Sequence, residues 1–315
     1  MTTSTPMIER RSLLQCVQRA ITRHWMLYLL LVPGLVYALL FHYIPMYGVT
    51  YAFRKYSVVA GPGDWVGLEV FSKLFGRNAF TRALKNNIVI SLLKVGCGFP
   101  VPVILSLMIN EIRGNLSKKF VQTSIILPNF ISWFIISGLL FAMFNVNSGT
   151  VPGLIRRINP DGEMINVLSD KDSIRTVVLL SYIWVSSGMG TIIYLAAIVG
   201  IDQQLYEAAM IDGAGRWQQM IHITLSTLRP TIIVMFIFRV GNIMNAGFNQ
   251  IFALSNSLVV SKIDIIDTYV YRIGLEQAKF AEATAAGLFK SVIGLVMVLV
   301  TNAIAKKVDP ESGIM

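Results

Sequence analysis

Acidic side chains are few in this chain and absent where it is most apolar. Only 17 of its 315 residues are Asp or Glu, and none falls in the six long apolar stretches at about 26–44, 86–109, 121–144, 176–200, 231–254 and 284–305. Proton- and sodium-driven carriers keep ionisable acids inside their bundles, so this absence counts against ion coupling. Histidine is equally thin: His24, His42 and His222 fall at different ends with no metal-like spacing, which leaves a membrane enzyme without a catalytic centre. The two cysteines, Cys16 and Cys97, lie far apart and suggest neither a disulfide framework nor a metal site. No Gly-x-x-x-x-Gly-Lys-Ser/Thr loop is present to hold nucleotide phosphates. Catalytic residues, bound metal and a resident cofactor are therefore not expected, and any ATP hydrolysis belongs to another chain.

What is present is apolar. Hydrophobic residues make up 54% and charged ones 14%, against roughly 45–50% and 25% in soluble domains. Crossing about 30 Å of hydrocarbon takes roughly 20 apolar residues in helix, and the six stretches meet that length. The expectation is an all-α membrane protein with six transmembrane helices. The first stretch is too long for a signal core and lacks a small-residue cleavage pattern after it. Net charge is +10, but the cations are dispersed over all loops, which suits lipid headgroups rather than nucleic acid.

The expected organisation is a cytoplasmic N-terminal segment at 1–24, a transmembrane domain at 25–305 and a cytoplasmic tail at 306–315. Arg10, Arg11, Arg19 and Arg23 before the first span, and Lys306 and Lys307 after the last, put both termini on the cytoplasmic side. The outer loops are then about 45–85, 145–175 and 255–283. Turn-forming Gly61-Pro62-Gly63-Asp64, Pro152-Gly153 and Asn159-Pro160-Asp161-Gly162 mark the first two. They are either a platform for an external partner or ordinary solvated connections.

Between the fourth and fifth spans, residues 201–230 repay a closer reading. Ile201, Leu205, Ala208 and Ala209 recur at helical spacing, as do Trp217, Met220, Ile221, Thr224, Leu225 and Leu228. Two short amphipathic helices are expected to meet at a bend, with Asp212 capping the second and Gly213 and Gly215 allowing unusual backbone angles. Small side chains at Ala208, Ala209, Gly213 and Ala214 let another backbone come close, and Glu207 and Asp212 offer charge-assisted bonds to it. On spacing alone the segment is either such a knob or a plain connector.

The string Glu207-Ala208-Ala209-x-x-Asp212-Gly213-Ala214, followed by Ile223, Leu225, Leu228 and a closing Pro230, resembles the EAA loop of bacterial ABC importer permeases. Met220 and Ser226 stand where that family usually has Phe and Pro. Trp25 to Gly34, Gly287-Leu288-Phe289-Lys290-Ser291 and Thr301-Asn302 are similar to the carbohydrate-uptake, maltose-permease-like branch, and within it to permeases of polysaccharide and alginate importers. The resemblance implies a multi-pass protein of the bacterial inner membrane with a cytoplasmic coupling helix between spans 4 and 5. It implies a second permease subunit as heterodimer partner, two ATPase subunits carrying ATP and Mg, an extracytoplasmic solute-binding protein and an oligosaccharide substrate.

Three charges lie inside the apolar stretches, Lys94, Arg239 and Lys290, and all are cations. An intramembrane charge is by default a functional candidate. Arg239, Asn242, Asn245 and Asn249 fall at i, i+3, i+6 and i+10, on one face of a continuous helix. That face either lines a hydrophilic pathway or forms a polar seam with the partner permease. Trp184, with Tyr182, is a candidate platform for a sugar ring. Buried positive charge gains nothing from a neutral sugar, whereas a uronate carboxylate suits the planar fork of Arg239. An acidic, alginate-like oligosaccharide is the expected substrate, with a neutral oligosaccharide as the alternative.

Overall fold

The computed structural model describes residues 22–23, 25–57, 59, 61–159 and 166–308. Cys16, the first three arginines, His24, Pro160-Asp161-Gly162 and most of the tail lie outside them. The chain divides into two units, Met1–Thr50 and Tyr51–Met315. In the first, helix α1 (Trp25–Phe53, running three residues past the boundary) is apolar all round. Its side chains are exposed almost throughout, the state of a helix whose solvent is lipid.

The second unit opens with a hairpin of β1 (Arg54–Ser57) and β2 (Gly61–Trp65), paired antiparallel with Arg54 opposite Trp65. After a short helix α2 (Glu69–Phe75), helix α3 runs over Asn78–Asn110 with a π-turn at Lys94–Gly98. Next come α4 (Asn115–Phe130), α5 (Trp133–Phe144), the short α6 (Thr150–Ile158) and the central α7 (Ile174–Val199). They are followed by α8 (Gln203–Ile211), α9 (Arg216–Gly241), α10 (Phe248–Leu254), α11 (Val260–Ile263), α12 (Ile266–Tyr271) and α13 (Phe280–Val308). Among the described residues, five helices are long and apolar enough to span a membrane, and six if α4 and α5 together count as one.

Three expectations about the spans are corrected. The stretch 121–144 is not straight: α4 and α5 meet at 101°. Pro128 and the extended Ile131 end the first piece, and the Ser132 side chain accepts from Ile135 N to start the second. The stretch 231–254 is two helices, because the chain leaves helix after Gly241 and restarts behind Gly247, whose φ of 96° only glycine adopts readily. The segment 255–283 is no solvated loop. Ile263, Ile265 and Ile266 are fully buried, and the first two share a core with Ile90, Ile174, Val178 and Ile251. Its buried carboxylate is paired to permit this: Arg272 meets Asp264 at 2.6 Å, and Thr268 donates to the same carboxylate at 2.8 Å.

α7 is the axis of the second unit, and small residues let its neighbours approach. A Cβ on Gly188 would lie 2.2 Å from the carbonyl oxygen of Ile125 in α4. Gly98 in α3 likewise leaves room for the Tyr182 ring. Bonds from α3 to α11 and to the chain after α9 replace the hydrophobic effect that lipid cannot supply. Asn86 donates to Ser261 O and Asp264 O, each at 3.1 Å, and Asn87 to Met244 O at 3.2 Å.

Candidate functional site

Two places gather the residues singled out in the sequence. The first is the bend between α8 and α9. Asp202 starts α8 by accepting from Gln204 N at 2.9 Å, and the helix then closes on a Schellman motif. Ala214 N donates to Ala209 O at 2.8 Å and Gly213 N to Met210 O at 3.1 Å, with Gly213 in the left-handed region at φ 77°. Asp212 is therefore the C-cap of α8 and not the N-cap of the next helix, which corrects the expectation. Its φ/ψ of −73°/2° continues the helical turn, whereas N-caps need extended backbone, which Gly215 supplies.

The second helix of the expected pair is likewise not separate. From Arg216 it continues through a π-turn at Met220–Leu225 and past Pro230 to Gly241. Gln218 Oε1 accepts from Gly215 N at 2.8 Å, and the Tyr206 hydroxyl lies 2.9 Å from Thr224 Oγ1, holding α8 against α9. Glu207, Ala208, Asp212 and Gly213 are exposed, with Ala209 and Ala214 half-buried. A cleft of about 300 Å³ opens here, lined by Ala209, Asp212, Gly213, Ala214, Gln218 and His222. Beside it Ile211 and Trp217 are 87% and 70% exposed, so the knob presents apolar as well as acidic surface.

The second place is the break after α9. Arg239, half-buried, lays its guanidinium against the Tyr182 ring, 5.0 Å from the centroid, and among the described residues it has no carboxylate partner. Asn242, Asn245 and Asn249 are exposed. They do not lie on one continuous helix face, since Asn242 caps α9, Asn245 sits in the turn and Asn249 opens α10. The break still keeps them close to one another in sequence, and Asn245 Nδ2 donates to Asn242 Oδ1 at 3.1 Å.

The remaining candidates separate. Lys94 is 2% exposed and bonded to Ala246 O and Gln250 Oε1. Lys290 pairs with Asp267 at 2.6 Å. Trp184 points away from Tyr182, as residues two apart on a helix must, and lines an apolar groove of about 770 Å³ with Leu139, Met143 and Leu180. Gln250, which follows Asn249 in the same polar run, is fully buried, and its amide donates to Val178 O at 2.6 Å and Ser181 Oγ at 2.9 Å, so it belongs to the packing and not to the exposed amides.

Long apolar helices joined by buried polar clamps, with an exposed bend between α8 and α9, define a polytopic membrane protein. The chain belongs to the family of binding-protein-dependent transport system inner membrane components, whose pattern its residues 98–312 match. It is thus the multi-pass inner-membrane permease subunit of an ABC importer, and the ion-coupled carrier is set aside. Protein LplB of Bacillus subtilis (strain 168) is 45% identical over 294 residues, spanning 93% of this chain and 92% of its own length. The polygalacturonan/rhamnogalacturonan transport system permease protein YteP of the same organism is 44% identical over 287 residues, 90% and 89% of the two chains. A crystal structure of a bacterial ABC transporter involved in the import of the acidic polysaccharide alginate superposes with a TM-score of 0.86 at 38% identity, covering 93% of this chain and 99% of that one.

Proposed function

We propose that this chain is one of two permease subunits of an importer for acidic oligosaccharides, with Arg239 as the residue that meets a uronate carboxylate. The observation that carries this reading is a half-buried guanidinium with an aromatic face beside it, no carboxylate partner among the described residues, and exposed asparagine amides within a few residues. Such a cation is costly in hydrocarbon unless a ligand or partner completes it. Asn242, Asn245 and Asn249 would meet hydroxyls, and Trp184 would offer a ring face to the apolar side of a sugar. Lys94 and Lys290, being engaged already, serve the wall and not the ligand. The names of the relatives, polygalacturonan and alginate, support an acidic substrate.

In the same reading Glu207, Ala208, Ala209, Asp212, Gly213 and Ala214 form a cytoplasmic knob that seats in a separate ATPase. Two such ATPases bind ATP and Mg, and an extracytoplasmic solute-binding protein delivers the sugar. Both termini are cytoplasmic, and 25–305 is the translocating domain between short terminal segments. The importer of alginate, which has been crystallised in complex with an alginate pentasaccharide-bound periplasmic protein, supports the delivery step.

The test is Arg239→Gln in the reconstituted importer, with trigalacturonate and its methyl ester as paired probes. Losing a charge-assisted bond removes about 1.5–3 kcal/mol, so uptake of the acid should fall roughly 10- to 100-fold while the neutral ester is little changed. Equal uptake of acid and ester by the wild type would favour the second reading, a neutral sugar.

A further inference from the structure

The buried Lys94 is engaged on several sides by groups of the protein itself. Its ammonium donates to Ala246 O at 2.7 Å and to Gln250 Oε1 at 2.5 Å, and sits 4.6 Å from the centroid of the Tyr182 ring. Each of these partners leads to the polar break. Ala246 and Gln250 bracket Gly247, the residue at which the chain re-enters helix. Tyr182 is the same ring that carries Arg239. Gln250 in turn ties α10 to α7 through Val178 O and Ser181 Oγ.

Gly247 shows how closely the fit is made. Its φ is 96°, and a Cβ there would stand 3.1 Å from Lys94 Nζ. The lysine itself issues from the π-turn Lys94–Gly98, which shifts its direction relative to an unbroken helix. A buried cation that satisfies a carbonyl, an amide oxygen and an aromatic face at once has one geometry open to it, because leaving any of these acceptors unmet in hydrocarbon is expensive.

We propose that Lys94 is a positioning residue: it fixes the 242–250 segment and the Tyr182 ring, and through them the placement of Arg239 and Asn249, without contacting substrate. This rests on the pathway reading of Arg239 above. A methionine at 94 keeps the stem and loses the donor, so Ala246 O and Gln250 Oε1 lose their partner together. The segment should loosen while α7 and the coupling bend stay as they are.

The experiment compares wild type, Lys94→Met, Gln250→Met and the double variant in the assembled importer in proteoliposomes. Hydrogen exchange of residues 242–254 is read with no sugar present, and trigalacturonate uptake is read as KM and kcat. Lys94→Met should lower protection of 242–254 about tenfold, leave 203–215 unchanged, and raise KM about tenfold with kcat within about twofold. Gln250→Met should lower protection at least as far, since it also loses the bonds to Val178 O and Ser181 Oγ, and the double variant should fall short of the sum of the two, since both lose the Lys94–Gln250 bond. Unchanged exchange in 242–254, or additive effects, would overturn the positioning role whatever the sugar. If trigalacturonate is not taken up at all, the acidic-substrate reading fails and the exchange result still decides the role of Lys94. Should Lys94→Met not assemble, Gln250→Met alone carries the test, and wild-type protection in it refutes the proposal.

Discussion

Gly213 offers the sharpest perturbation of the coupling bend, because its contribution is purely conformational. A side chain added there meets no atom within 4 Å, yet its φ is 77°. An L-residue in that region costs about 1–2 kcal/mol, most for a β-branched one. If the turn opens to relieve the strain, the two Schellman bonds go with it, each worth about 0.5–1.5 kcal/mol. Gly213→Val should therefore cut the population of the closed bend roughly 5- to 30-fold. Gly213→Ala should fall in between, and Gly213→Asn, which tolerates left-handed backbone, should sit nearest wild type. The assay is sugar transported per ATP hydrolysed in proteoliposomes, with Glu207→Ala as a companion that removes charge and leaves the backbone alone. Coupling should decline in the order Gly, Asn, Ala, Val. Wild-type coupling in the valine variant would refute the reasoning, as would equal loss in Asn and Ala variants, which do not share a backbone preference.

Gly188→Ala would put its Cβ 2.2 Å from a backbone oxygen that cannot step aside; separation of α4 from α7 should lower the melting temperature of the purified complex by several degrees, at about 1–3 kcal/mol of overpacking. Lys290→Met leaves Asp267 unpaired in a partly buried setting and should destabilise by about 1–3 kcal/mol in denaturant titration, while the exchanged pair Lys290→Asp with Asp267→Lys should recover much of that.

The bend was legible because its determinants are local. An apolar period that stops, followed by a glycine at the C′ position, states a helix end in a few residues, and Gly213 supplied it. Asp212 misled because aspartate favours an N-cap in general, while here the backbone angle at Gly215 decides which residue takes that place. The break after Gly241 was hidden, since Ile243, Met244, Phe248 and Ile251 sustain the hydropathy of a span although α9 ends at Gly241 and α10 starts only behind Gly247. The burial of 255–283 was hidden differently. Asp264, Thr268 and Arg272 look like solvated loop residues, but the link between α11 and α12 turns the Asp264 carboxylate onto Thr268 of α12 and Arg272 just past it, which balances the charge inside. Lys94 and Arg239 were both visible as intramembrane cations, but only three-dimensional packing assigns the first to Gln250 and, among the described residues, leaves the second without an acid.

The unbroken course of α9 has a mechanical consequence. From Arg216 beside the bend to Arg239 at the polar break, the axis runs about 35 Å at 1.5 Å per residue, and no loop interrupts it. A stiff rod of that length tilted by about 5° at one end sweeps the other through about 3 Å, roughly the length of a hydrogen bond. The π-turn at Met220–Leu225 is a compliant joint in it, and it lies next to the bend and far from Arg239. Pro230, which removes a rung of the helix ladder, is a second place where the rod yields, and on the coupling reading proposed above a small displacement at Gly213 would make or break a contact on the guanidinium without any intervening change of fold.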